Sequence, residues 1–204
     1  MLAILLVAAI TQSHVRPLIT PLDKVDNAGI QRLKALGPDV VPPLVAIYRD
    51  SNENDRAVVA WILYSLGFKS TEARAALLED IHTKNEKLRL QVQWALGRVS
   101  DDTEVVDILY NIMRNDPNAT FRDKAACALA YDQIHLTPKQ KVLLYAKLID
   151  ALSDDKPQVR MIAITALRIH TGQTKGFEPG APAEERTNAI GRWKAWLSEY
   201  QKNL

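Results

Sequence analysis

The sequence predicts an all-α chain built from repeated helical hairpins, and three observations carry that prediction. An arginine recurs at Arg56, Arg89, Arg122 and Arg160, at intervals of 33, 33 and 38 residues. Each is followed by apolar residues at fixed offsets. These are Val59, Val92, Ala125 and Ala163 at three, Ile62, Ala95, Ala128 and Ala166 at six, and Leu63, Leu96, Leu129 and Leu167 at seven. A residue able to cap or turn stands six positions before each arginine: Asp50, Thr83, Asp116 and Asp154. A fixed period of 20 to 50 residues marks a repeat architecture. At roughly 100° per residue, offsets 3, 6, 7 and 10 share one sector of a helix, which is the face to be buried.

Residues 1–20 form an N-terminal apolar segment, in which Leu2 to Ile10 is uncharged. Nine residues are too few to cross a bilayer, so no membrane span is expected. The length suits the apolar stretch of a secretory signal, but nothing basic precedes it. Two readings stand: a truncated or mis-started signal peptide, which places the protein outside the cytoplasm and is preferred, and a first helix of the stack.

A single repeat domain is expected over residues 21–204. Val25 to Leu36, with Ile30, Leu33 and Leu36, reads as the second helix of a degenerate leading hairpin. Amphipathic stretches at Asp39 to Arg49, Thr71 to His82, Thr103 to Arg114 and Pro138 to Leu152 precede the four arginine-bearing segments and supply the first helix of each hairpin. Pro42 and Pro43 fall in a first helical turn, and Thr137-Pro138 and Lys156-Pro157 read as helix starts with proline at the first position. Asp101 with Glu104 has capping-box spacing, and Gly37 and Gly67 suit helix ends. The longer last interval is expected to be a connection around Ile134 to Lys139.

The pattern of Asp, five residues, Arg, then Ala or Val and Ala-Leu resembles the HEAT repeat family over Gly37 to about Thr171. The resemblance implies a right-handed α-solenoid with a C-terminal capping helix. It also implies a structural ladder of Asp and Arg between neighbouring turns. Asp50, Asp116 and Asp154 match its acidic position, Arg56, Arg89, Arg122 and Arg160 its basic one, and Thr83 departs from the pattern. Residues 171–182 are rich in Gly and Pro and read as a loop. The helix expected over 182–201 places Ala189, Trp193, Trp196, Leu197 and Tyr200 on one face. This segment is similar to the Thr-Gly-Gln loop and Arg-Trp-x-x-Trp helix of many bacterial HEAT-repeat proteins, here Arg192, Trp193 and Trp196. A terminal cap is the preferred reading, and an anion or ligand site in the glycine-rich loop is the other.

Composition restricts function. The balance of 26 basic and 24 acidic residues gives a net charge of +2, far from the concentrated positive charge of phosphate-driven binding, so no nucleic-acid partner is expected. Cys127 is the one cysteine, which excludes an intrachain disulfide and a Cys-rich zinc site. His14, His82, His135 and His170 are scattered singly, and no catalytic or metal-binding spacing accompanies them. No catalytic residue, metal or cofactor is therefore expected, and Cys127 reads as packing.

Offsets 1, 5 and 8 point away from the buried sector, toward the concave surface on which solenoids bind partners. They hold Trp61, Tyr64, Leu90, Trp94, Asp123, Cys127, Met161, Thr165 and Arg168. Aromatic, Met and Arg residues are those enriched at interface centres. Trp61, Tyr64, Leu90, Trp94, Met161 and Arg168 are the candidate partner-binding residues, with Trp61 and Trp94 at equivalent places in consecutive repeats. A non-catalytic scaffold for an unidentified protein partner is the expected function. The repeat-level resemblance also admits enzymes of HEAT-like architecture, namely phycobilin lyases and alkylpurine DNA glycosylases.

Overall fold

A computed structural model describes residues 10–132 and 136–204. Residues 1–9, which hold all of the apolar segment Leu2 to Ile10 except its last residue, lie outside the described part, as do 133–135 in the expected long connection and with them His135. The chain forms two compact units, residues 1–99 and 100–204. Among the described residues every regular element is helical, and none of the helices is long and apolar enough to cross a membrane.

The first unit holds three hairpins. Helices α1 (Gln12–Ile19) and α2 (Asn27–Ala35) form the leading one, α3 (Val41–Arg49) and α4 (Glu53–Leu66) the next, and α5 (Thr71–Glu79) and α6 (Glu86–Val99) the third. First helices pack on first helices, α1 on α3 and α3 on α5, while α2 packs on α4 and α4 on α6. That is the stacking of an α-solenoid, in which each hairpin meets its neighbours. Helix α1 follows the apolar segment directly and buries Val15 and Ile19, so the leading unit has both helices. The second unit repeats the scheme with α7 (Thr103–Asn115), α8 (Ala119–Cys127), α9 (Pro138–Ala151) and α10 (Pro157–Thr171). Helix α11 (Ala183–Lys202) packs on α9, as a further first helix would.

The registered apolar offsets are the core. Val59, Ile62, Val92, Ala95, Leu96, Ala125, Ala128, Leu129, Ala163 and Leu167 are all fully buried. Helix ends follow local chemistry. Asn52, Asn85 and Asn118, four before successive arginines, each accept a backbone N–H of the helix that follows: Asn54, Leu88 and Thr120 at 2.9–3.1 Å. In the fourth repeat Lys156 stands there, and Pro157 opens the helix. Thr137 and Gln140 form a reciprocal capping box ahead of Pro138. At α7 the cap is Asp102 rather than the expected Asp101, its carboxylate accepting from Glu104 N at 2.9 Å. Gly67 and Gly172 close α4 and α10 in the left-handed region, φ +70° and +72°, where a Cβ is disfavoured.

Among the repeat arginines, Arg89, Arg122 and Arg160 bind carbonyl oxygens. Arg122 Nη1 donates to Asp116 O (2.8 Å) and Pro117 O (3.1 Å), and Arg160 Nη1 to Asp154 O (2.8 Å) and Asp155 O (3.0 Å). Arg89 Nε reaches Ile81 O at 3.1 Å. Forward along the chain, Arg56 reaches the Asp80 carboxylate (3.3 Å), Arg122 reaches Gln158 Oε1 (3.0 Å) and Arg160 reaches Pro179 O (2.9 Å). Asp80 also accepts the Tyr48 hydroxyl at 2.6 Å, and the Arg56 guanidinium lies 5.9 Å from the Tyr48 ring centre.

The residue six before the arginine has its own task. Asp116 and Asp154 turn their carboxylates to the N–H groups of Asn118 (2.9 Å) and Lys156 (3.0 Å), two residues on. Thr83 makes the same turn through its hydroxyl, to Asn85 N at 3.3 Å. The departure of Thr83 from the acidic pattern is thus accommodated, because such a turn needs only a short side-chain acceptor. Asp154 pairs in addition with Arg114 Nε of α7 at 2.9 Å, while Asp50 is exposed at the end of α3.

Helix α8 ends in a π turn, Ala128–Asp132. A π turn moves a carbonyl out of the regular ladder. Here Leu129 O accepts from His170 Nε2 of α10 at 2.9 Å. A carbonyl only accepts, so Nε2 carries the proton. Burial holds the imidazole below its ordinary pKa despite that bond, and Lys141 adds to the effect. A histidine kept neutral by the fold stabilises it above its unfolded pKa of about 6.5, and that stability is lost as pH falls below this value. Urea unfolding from pH 7.5 to 5 is expected to show the wild type losing more stability than His170→Gln, whose amide keeps the donor and has no titration. Parallel curves for the two proteins would remove this role.

Candidate partner-binding surface

The side chains at offsets 1, 5 and 8 stand on the second helices, whose opposite face is the core just described. In the first unit these are α4 and α6, which pack along each other. Trp61 and Tyr64 come from α4, Leu90 and Trp94 from α6, and all four are half-buried. Their apolar bodies are thus supported by neighbours and still reach solvent. The ring that meets Trp94 is Tyr64, with centres 6.0 Å apart and planes at 34°. The Arg98 guanidinium lies 4.5 Å from the centre of Tyr64, within cation–π range.

Trp61 has a different setting. It lines a cleft of about 280 Å³ with Leu22, Val25, Val58, Lys87 and Gln91. The short 3-10 turn Leu22–Lys24 packs on α4 and supplies one wall. The equivalence of Trp61 and Trp94 in the repeat therefore gives them unlike neighbours. The first hairpin contributes Leu22 and Val25 beside Trp61, whereas Trp94 meets Tyr64 of the hairpin before it at a tilt.

In the second unit the corresponding face is more aliphatic. Cys127, Tyr131, Met161, Thr165 and Ile169 line a groove of about 230 Å³ between α8 and α10. Met161 and Tyr131 are 53% and 56% exposed, unusual for side chains this apolar. Arg168 is exposed and lines an adjoining hollow with Met161, Thr165 and the loop residues Thr174 and Glu178. Tyr131 was not reached by offset counting. It stands nine residues after Arg122, in the π turn and beyond the offsets 1, 5 and 8 that defined the face. Burial and the nearby Asp123 carboxylate push the Cys127 thiol upward, keeping it protonated at neutral pH and making it a poor nucleophile.

The C-terminal loop is held by side chains that bind its carbonyl oxygens. Trp193 Nε1 donates to Thr174 O (3.0 Å), Arg192 Nε to Lys175 O (2.8 Å), Arg160 Nε to Pro179 O (2.9 Å) and Arg186 Nη1 to Ala181 O (2.6 Å). Phe177 is buried at its centre. Both members of the Arg-Trp pair thus fasten the loop, while Trp196 turns to α9. There Tyr145 meets Trp196, Tyr200 and His170 at ring separations of 5.3, 5.5 and 5.9 Å. Burial raises the Tyr145 hydroxyl to about 12, so it remains a neutral part of this cluster.

Among the described residues, no three His, Cys, Asp or Glu side chains come together as a metal site would require. In comparison with known proteins, a family model described as HEAT repeats matches residues 41–130. No curated protein matches the chain.

Proposed function

From the premise that residues 41–130 are HEAT repeats, we propose that the chain is a non-catalytic scaffold that binds a protein partner on the face of its second helices. HEAT repeats commonly serve protein interaction, and that much is general to the repeat. The more specific reading places the centre of the contact on the concave side of the first unit, at Trp61, Tyr64, Leu90 and Trp94. One observation carries it: three aromatic rings stand half-buried on adjacent helices, braced by Arg98. Rigid aromatics with one face open are the side chains that most often dominate interface energetics. Met161 and Arg168 are proposed as a second contact region, supported by their exposure on the equivalent helix of the other unit.

The two polar groups most open to a catalytic reading have structural settings that support the same view. His170 is engaged with Leu129 O, and the Cys127 thiol is held protonated. The double variant Trp61→Ala plus Trp94→Ala tests the scaffold. Affinity capture from the native source is expected to lose its specific partners with this variant, while circular dichroism and the melting profile confirm folding. Retention of every partner by the folded double variant would reject the proposed surface.

A further inference from the structure

The partner surface of the first unit carries a charge pattern that its aromatic content alone does not require. Around α4 and α6 the Trp61 sector is the one at offsets −2, 1, 2, 5, 8 and 9 from the repeat arginine. Those positions hold two cations, Lys87 and Arg98, three aromatic rings, and no carboxylate. The flanking acids are Glu53, whose carboxylate is held by Thr83 (2.9 Å) and Asn85 (3.4 Å), and Glu86 at the sector's edge. Lys87 is exposed and lines the Trp61 cleft together with Gln91, whose amide oxygen is buried without a hydrogen-bond partner. Arg98 stands three turns further along the same helix, over Tyr64.

Resting on the scaffold reading above, we propose that this surface takes an extended acidic peptide segment. One of its apolar side chains enters the cleft beside Trp61, and a carboxylate faces Lys87. Single-stranded nucleic acid is the less favoured occupant, since phosphate-driven binding draws on roughly six to ten cationic contacts. Two cations with a net charge of +2 over the whole chain fall short of that.

The test uses the whole chain immobilised against a random twelve-residue peptide library displayed on phage, at low salt, with oligo(dT) as a separate probe. Enrichment of sequences with Asp or Glu beside an aromatic or aliphatic residue is expected. Synthetic copies should bind at least tenfold more weakly when their acids become Asn and Gln, and at least tenfold more weakly to Lys87→Glu with an unchanged melting profile. Enrichment of neutral or basic peptides that are lost with Trp61→Ala plus Trp94→Ala would overturn the acidic preference and leave the scaffold reading standing. Acidic peptides that bind this double variant and Lys87→Glu as well as the wild type would overturn both. Absence of any enrichment, or tighter binding of oligo(dT) than of the selected peptides, would overturn the proposal.

Discussion

Trp193→Ala is expected to destabilise the second unit by about 3–5 kcal/mol, the range for truncating a large buried aromatic. Trp193 is fully buried, packs edge-on against Trp196 with ring centres 5.4 Å apart, and donates Nε1 to Thr174 O at 3.0 Å. The substitution removes the packing of α11 and one of the four anchors of the 171–182 loop together. A loss of this size lowers a melting midpoint by on the order of 10 °C in a chain of this length. Trp193→Phe separates the two contributions. It keeps most of the buried ring and loses one hydrogen bond to Thr174 O, which still accepts from Phe177 N (3.0 Å), so a cost of about 1 kcal/mol is expected. Urea unfolding of both variants gives the comparison. Equal costs would mean that the indole N–H carries the whole effect and that packing at this site contributes little.

The second large effect is expected at Arg160. Its side chain is 7% exposed, and its guanidinium spans three carbonyl oxygens, Asp154 and Asp155 through Nη1 and Pro179 through Nε. Arg160→Met leaves those carbonyls without their charged donor, at a cost of about 1.5–3 kcal/mol, the range for hydrogen bonds to a charged group. Lysine is expected to restore only part of this, because a single ammonium has no planar fork to serve carbonyls on two sides. Limited proteolysis reads the consequence directly, since cleavage within 171–182 should accelerate in Arg160→Met. Arg122 is the internal control. It makes the equivalent contacts to Asp116 O and Pro117 O but is less buried, so Arg122→Met should cost about 1 kcal/mol. Similar costs at the two positions would show that burial is not what distinguishes them.

The hairpins were legible in the sequence because one arginine series set a register that the apolar offsets then confirmed. Expected and observed first helices differ by a few residues at most, Thr71 to His82 against Thr71–Glu79 being the widest gap. The helix-capping Asn52, Asn85 and Asn118 were equally visible at the same 33-residue spacing, yet a search for apolar periodicity passes over polar caps. The π turn at Ala128–Asp132 was not legible. It depends on His170 of another helix taking up Leu129 O, a contact between residues 41 apart. On the candidate surface, spacing picked out Trp61, Tyr64, Leu90 and Trp94 as one face. Which rings meet was beyond it, because that depends on how far one helix slides along the next. The loop anchors were hidden for a similar reason: Arg192 and Trp193 act on backbone carbonyls, which carry no side-chain signature.

The turn before each second helix has a consequence for how such a chain drifts. At Asp116 and Asp154 the atom given to the arginine belongs to the main chain, so that contact survives any side-chain replacement there. What the side chain contributes to the turn is a short-range acceptor, a role that Thr83 fills with a hydroxyl, and the Asp154 carboxylate also pairs with Arg114. The turn itself is therefore open to substitution among small acceptors, as Thr83 shows. The arginine has no such freedom, because its reach, its charge and its fork are all in use. Over long divergence the arginine spacing should outlast the acidic positions as the detectable trace of common repeats.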